Sequence, residues 1–347
     1  MYLHALTTAV PPARFTQAEC WGLVQRSEVR HLLNRKSLFV LQAVLTGDSG
    51  IASRHFAASD LEHILDRTPD ELNALFRAEA PKLAAAALTP ALEKAGVSPS
   101  EVDALLVCTC TGYLCPGVSS YVSESLGLRA DAYLQDLVGL GCGAAIPTLR
   151  SAEAFLAANP HATVATVAVE ICSAAFYLDD DLGVLFSACL FGDGAAAAVW
   201  KNAPSEGGLR CSSFDTVHRP EHRDRIRFEM RNGKLRNLLH PSVPQLAAEA
   251  VSHLHSRATA PREKRPLSQI VSHTGGRDVL RALEKELPQH RLTASSETLH
   301  RYGNMSSPSV LFALENALQQ GRPDQKGDWW LVAFGAGFSA HSCRLGV

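Results

Sequence analysis

A strand-like run, Ala132-Tyr133-Leu134-Gln135-Asp136-Leu137-Val138, gives way to Gly139, Gly141 and Gly143 and then to a small-residue helix reaching about Ala158. A strand, a tight turn and a helix in direct succession confine the chain to architectures in which helices pack on a sheet. Glycine lets the backbone reverse sharply there because it has no Cβ to clash. A thiol, Cys142, stands at the turn. The free N–H groups and the positive dipole end of a helix favour an anion, which lowers a thiol pKa. Cys142 is therefore a candidate thiolate nucleophile, whereas cysteines elsewhere usually pack as small hydrophobes.

The same alternation runs through the chain. Helical spacing marks residues 16–46 and stretches near 59–76 and 80–96, followed by a strand over Val102–Thr109 and a helix near 117–126. Beyond the Cys142 helix come a strand over Ala162–Ile171, a short helix near 184–190 and a strand over Ala195–Trp200. In the second half, Asn232-Gly233 between Arg225–Met230 and Lys234–Arg236 signals a hairpin. A helix over about 241–257, a charged linker from Pro261 to Pro266 and a strand over Leu267–Ser272 lead to His273-Thr274-Gly275-Gly276 and a helix to Leu287. Gly303-Asn304 precedes a helix to about Gln320, and the chain closes with a strand over Trp329–Phe334, a glycine turn and a strand from Phe338. The reading is α/β, with a division near 201–215 into halves 1–205 and 206–347.

With a formal charge of −2 the chain lacks the basic field of a nucleic-acid binder. Nine cysteines in 347 residues are no disulfide framework. The first residues lack a signal-peptide pattern, and no apolar run approaches the length that spans a bilayer. The expected setting is the cytoplasm.

His273 and Asn304 each stand beside glycines at the end of a strand or in a loop, where side chains gather around a site. With Cys142 they make a candidate Cys–His–Asn set, the His holding the thiolate as an ion pair and the His and Asn donors meeting an oxyanion. Taken singly, His273 fits an ordinary hydrogen-bonded histidine and Asn304 a plain turn. Cys108, Cys110 and Cys115 lack a following His/Cys pair at zinc spacing. The basic run from Arg219 to Arg236 could meet phosphates, but it also holds Glu221, Asp224 and Glu229, which favours a solvated hairpin.

Gly141-Cys142-Gly143-Ala144-Ala145, Phe191-Gly192-Asp193-Gly194-Ala195, His273-Thr274-Gly275-Gly276 and Gly303-Asn304-Met305-Ser306-Ser307 resemble four signature blocks of type III polyketide synthases, in that family's order and at its usual separations. Cys110-Thr111-Gly112-Tyr113-Leu114-Cys115-Pro116-Gly117 and Ala333-Phe334-Gly335-Ala336-Gly337 add two more, so the resemblance runs from about residue 100 to the end and more faintly from residue 1. It implies a thiolase fold of two pseudo-duplicated halves in a layered α-β-α-β-α arrangement, and a homodimer. The implied activity is iterative decarboxylative condensation of malonyl-CoA onto an acyl starter, with closure to pyrone or resorcinol products. Cys142 would carry the starter and growing chain as a thioester, and His273 and Asn304 would bind the thioester carbonyl during decarboxylation. CoA thioesters are the substrates, and no metal or redox cofactor is implied.

Several pocket positions follow from the same resemblance. Phe191 matches the gatekeeping phenylalanine between the CoA tunnel and the cavity. The second gatekeeper should fall near Leu235 or Arg236, where no aromatic stands. Ala175 matches a position at which plant enzymes often carry a larger threonine. Both departures point to a wider passage and a fatty acyl starter. Cys115 aligns with the residue that reaches across the dimer into the partner's cavity, and its plain alternative is a buried small hydrophobe. Asp193 is expected to brace its glycine turn.

One departure concerns the CoA phosphates. The family's Lys/Arg cluster should precede Ser49-Gly50-Ile51, but Val44-Leu45-Thr46-Gly47-Asp48 has no base. Lys36 or Arg54 could serve instead, or the starter could arrive on an acyl carrier protein. Among alternatives, an initiating ketoacyl synthase of the same superfamily normally reads His-Gln-Ala-Asn where this chain has His273-Thr274-Gly275-Gly276. A non-catalytic thiolase-fold partner usually lacks the nucleophile. A Cys–His–Asn protease would need a sequence context around the cysteine that is absent here.

Overall fold

The computed structural model describes residues 1–58, 60–204, 208–260, 265–323 and 327–347. The expected boundary at 205/206 and most of the linker Pro261–Pro266 lie outside the described residues. Thirteen strands and ten α-helices are present among those described. The first segment forms β1 (Tyr2–Ala9), β2 (Ala13–Thr16), α1 (Gln17–Arg26), α2 (Arg35–Thr46), β3 (Ser53–Phe56) and α3 (Pro69–Ala95). Then come β4 (Ala104–Cys108), α4 (Val118–Leu126), β5 (Tyr133–Leu137), α5 (Ala145–Ala158), β6 (Val164–Glu170), α6 (Leu182–Leu190) and β7 (Gly194–Lys201). The second half has β8 (Leu209–His218), β9 (Ile226–Arg231), β10 (Lys234–Leu239), α7 (Val243–Ala258), β11 (Leu267–Ser272) and α8 (Arg277–Glu286). The chain ends with α9 (Thr293–Tyr302), α10 (Ser309–Gln320), β12 (Asp328–Gly335) and β13 (Ser339–Gly346).

Nine strands pair in the order β11-β12-β13-β8-β1-β7-β6-β4-β5. Strands of the two halves meet where β1 pairs β8 through Tyr2↔Arg210 and Leu3↔Leu209. Helices α5 and α10 touch strands of both halves, α5 on β4, β6, β12 and β13, and α10 on β1, β7, β11 and β12. They form a central layer. On the outer face of the first half lies α3, packing Phe76, Ala84, Leu88 and Ala91 on Leu105, Val167 and Val199. On that of the second half lie α7 and α8, packing Leu254, Val251 and Leu283 on Ile270, Trp330 and Val332. The α-β-α-β-α layering of a thiolase fold results. Small side chains in α5 and β7, such as Ala145, Ala152, Ala196 and Ala198, let these layers approach closely.

The structure departs from the sequence expectation in places. The helical stretch 16–46 is broken: α1 ends at Ser27, whose N–H bonds Leu23 O, and α2 restarts from Asn34, which accepts from Ser37 N. The stretches 59–76 and 80–96 are mostly one 27-residue helix, α3, starting at a Thr68/Glu71 capping box and running through Pro81 and Pro90. Burial of its alanine and leucine face outweighs the two missing N–H groups. Strand β1 and helix α9 carry too little periodicity to stand out in the sequence. The hairpin is present, with Asn232 at φ +53° and Gly233 at φ +74° joining β9 to β10. No helix among the described residues is long and apolar enough to cross a membrane.

Candidate active site

Cys142 occupies a 3-10 turn, Gly141–Gly143, that joins β5 to α5. Gly141 adopts φ +58°, which only glycine takes without strain. The end of β12 presses on this turn from behind. A Cβ at Gly335 would stand 2.5 Å from Gly143 N, 2.7 Å from Leu140 O and 2.9 Å from Cys142 N. The terminal glycine block thus fixes the nucleophile turn by its lack of a side chain.

His273 follows β11; its N–H donates to Val332 O at 2.8 Å, and its ring meets Phe334 edge-on at 5.1 Å. Asn304 follows α9. Its Nδ2 donates to Gly275 O at 3.1 Å, tying it to the His273 loop, while its Oδ1 accepts from Ser306 N at 2.8 Å. Backbone bonds Asn304 N→Leu190 O (2.9 Å) and Gly192 N→Asn304 O (3.0 Å) clamp this segment to the Phe191 segment. Cys142, Phe191, His273 and Asn304 all line one cavity of about 410 Å³. Its inner walls include Leu190, Leu239 and Phe334, and its open end carries Asp48, His240, Arg277 and Asp278.

Burial pushes the Cys142 thiol up to about 12, although the Ser306 hydroxyl pulls it down. Burial likewise holds His273 down to about 3. Burial thus opposes the charged form of both groups. The helix dipole at the start of α5 and the Ser306 hydroxyl work the other way at Cys142, favouring the thiolate that the sequence leads one to expect. A thiol and an imidazole on one cavity can exchange a proton when a substrate arrives. One N–H of the Asn304 amide is used by Gly275, which leaves the second for an oxyanion.

Ser306 is a site residue whose role the sequence did not signal beyond its block. It adopts φ +62°, a costly conformation for serine. Its Oγ donates to Cys142 Sγ at 3.3 Å and lies 3.1 Å from Cys110 Sγ. Below it, fully buried Glu170 accepts from Cys110 N, Thr111 N, Thr111 Oγ1 and Ser307 Oγ. That network locks the Cys110 and Ser306 segments together, and burial raises the Glu170 carboxyl.

Other sequence expectations are sorted by the geometry. Leu235 does not line the cavity; Leu239 packs on Cys142, Cys172 and Phe191. Leu235, Asn237 and Leu239 share one face of β10, and it is Leu239, four residues beyond Leu235, that lines the cavity. Arg236 is buried against Asp179, Asp181 and Glu229 and cannot face substrate. Ala175 lines a separate void of about 20 Å³ behind Phe191, with Cys172, Phe176 and Asn237. Cys115 is exposed in the single chain and lines no part of this chain's cavity. Arg54 is buried, donating to Gln17 Oε1, Ala188 O and Phe191 O, and so braces Phe191 rather than meeting a phosphate. Asp193 braces its turn by accepting from Ala57 N, Ser173 N and Ser173 Oγ, and burial lifts its carboxyl to about 6.

Residues 10–218 match the FAE1/type III polyketide synthase-like family, and residues 211–345 match the C-terminal domain of chalcone and stilbene synthases. A 1,3,6,8-tetrahydroxynaphthalene synthase of Streptomyces peucetius subsp. caesius is 29% identical, with 98% of this chain and 92% of that protein aligned. A 3,5-dihydroxyphenylacetyl-CoA synthase of Streptomyces toyocaensis is 30% identical over 71% of this chain and 67% of its own length. The crystal structure of the tetrahydroxynaphthalene synthase of Streptomyces coelicolor superposes with a TM-score of 0.87 at 26% identity, covering 100% of this chain and 99% of that one.

Proposed function

The chain belongs to the type III polyketide synthase family, acyltransferases of thiolase fold, and we propose that it condenses malonyl units repeatedly onto an acyl group held on Cys142. The observation that carries this reading is the meeting of Cys142, His273 and Asn304 on one cavity. In loading, His273 takes the Cys142 proton and the thiolate attacks the starter's thioester carbonyl. The donor's C–S bond breaks, and the departing thiolate takes that proton. A malonyl thioester then sets its carbonyl oxygen against the His273 and Asn304 donors, which stabilise the enolate left as CO2 departs. The enolate carbon attacks the Cys142 thioester, a C–C bond forms as the C–S bond breaks, and the lengthened chain can return to Cys142. Holding both partners in one enclosure supplies much of the rate.

For the starter, a compact acyl group such as malonyl fits best. The room behind Phe191 is only about 20 Å³, enough for about one water-sized group. The relatives named for tetrahydroxynaphthalene and dihydroxyphenylacetyl-CoA formation support a small cyclised product. The fatty acyl starter with pyrone or resorcinol products remains a second reading on one observation. Phe176 and Ala188, which wall that void, also wall a second apolar void of about 60 Å³ against α1 and α2.

A homodimer is supported by β5. It is an edge strand of the large sheet, and Tyr133, Val138, Tyr113 and Cys115 are exposed beside it. An open edge with exposed apolar residues favours pairing with a second copy; light scattering reporting a monomer at micromolar concentration would exclude it. The functional test is incubation with acyl-CoAs of increasing length and labelled malonyl-CoA, read by mass spectrometry. Multiply extended cyclised products from malonyl-CoA alone support the compact starter, and long-chain pyrones the second reading. A single β-ketoacyl product would instead make the protein a one-step ketoacyl synthase.

A further inference from the structure

We infer that Arg277, backed by Arg281, holds the phosphate of the acyl donor's pantetheine arm, and that Asp48 occupies that position in the free protein. The donor's chemistry is taken from the condensation reading, but the geometry and the test below stand without it. Arg277 is the one arginine or lysine among the described residues that line the catalytic cavity. It stands at the open end, about one-third exposed, beside Asp48, which is about three-quarters exposed. The other candidates fall away. Arg54 is buried behind Phe191, and Lys36 lies in the first turn of α2, about 15 Å along the helix from its Asp48 end at 1.5 Å per residue.

The contact is built on both sides. Arg277 Nη1 lies 3.0 Å from Asp48 Oδ2 and also donates to the Asp48 carbonyl, while Nε lies 3.3 Å from Asp278 Oδ1. Arg281, one turn along α8, lies 4.0 Å from the Asp48 carboxylate. Gly50, at φ +76°, brings the loop down so closely that a Cβ there would sit 3.2 Å from Arg277 Cβ. A carboxylate on a guanidinium has the charge and fork geometry that a phosphate would use. Asp48 is largely hydrated, so giving up this place to a phosphate costs little. Asp48 stands where the family pattern calls for a base, and Arg277 supplies the cation from the facing helix.

The phosphate on the pantetheine arm is common to CoA and to a carrier-protein donor, so a ligand series separates them. Calorimetry on the intact protein, its Arg277→Gln variant and its Asp48→Asn variant would use pantetheine, 4′-phosphopantetheine and CoA. Asp48→Asn should tighten phosphate-bearing ligands roughly threefold and Arg277→Gln weaken them by at least as much, with half-molar salt erasing both effects. Pantetheine should shift with neither. Equal responses to CoA and 4′-phosphopantetheine place the contact on the arm shared with a carrier protein; a response to CoA alone places it on the adenosine phosphates and overturns the arm assignment. CoA affinity unchanged in both variants, or weakened in Asp48→Asn, overturns the rim site. Because binding is read rather than turnover, a protein that binds CoA in this way yet forms no polyketide would sink the functional reading alone.

Discussion

Replacing Gly335 with alanine should disable the nucleophile while leaving the fold in place. The new Cβ would stand 2.5 Å from Gly143 N, where ordinary contacts begin at 3.4 Å, a shortfall of 0.9 Å. All three nearest atoms are backbone, belonging to Leu140, Cys142 and Gly143, so no side chain can swing aside. Either β12 recedes or the Cys142 turn is pushed toward the cavity. Overpacking of this kind costs about 1–3 kcal/mol, or a Tm roughly 1–4 °C lower for a chain of this size. The kinetic loss should be far larger, since a displacement near 1 Å at a reacting atom costs about 10²-fold. Stopped acylation of Cys142 by an acyl-CoA, followed by peptide mass spectrometry, measures the rate, and calorimetry measures Tm. Gly321→Ala is the control, because a Cβ there meets nothing within 4 Å. Wild-type acylation in Gly335→Ala at an unchanged Tm would refute the argument that the strand positions the thiol.

Ser306→Ala removes the hydroxyl that favours the thiolate at Cys142, so alkylation by iodoacetamide at pH 8 should slow about fivefold, as for one hydrogen bond. Leu239→Phe should narrow the passage beside Phe191 and lower the number of extensions in the product profile, whereas Leu235→Phe, off the cavity, should leave the profile as it is. Ala175→Leu should fill the void behind Phe191 and shorten the longest starter accepted; an unchanged starter series would remove that void from the account. Acid should destabilise the fold through His273 and His341, which burial holds down to about 3 and about 4. The unfolded chain binds their protons below about 6.5, so stability is full above that pH and is lost as pH falls toward those values. Asp193, raised to about 6, acts in the opposite sense. Urea unfolding from pH 6 to pH 4 should therefore show a slope flatter by about 1.4 kcal/mol per pH unit in His273→Gln.

The sequence carried the site better than its surroundings. Cys142, His273 and Asn304 were legible because each stands beside glycines that mark loop ends, and the structure brings all three to one cavity. Periodicity located β4 to β7 and the β9–β10 hairpin within a few residues. It failed where propensity and packing disagree: α3 runs through two prolines because its buried alanine face holds it. A helix dipole at Cys142 is visible in sequence, whereas the burial that opposes charge on Cys142 and His273 is not. Asp48 and Arg277 are 229 positions apart, and no spacing rule joins such a pair. Leu239 stands on the same face of β10 as Leu235, and only packing shows which of the two lines the cavity.

The most direct test of the account is whether the growing chain is carried on Cys142. Purified protein would be mixed with labelled malonyl-CoA, quenched at short times and digested, and the Cys142 peptide examined by mass spectrometry. The account predicts an acyl thioester on that peptide, joined by heavier adducts as two-carbon units accumulate, and none in a folded Cys142→Ala variant. Cyclised, multiply extended product from Cys142→Ala, or product formed by the wild type with Cys142 never acylated, would contradict it.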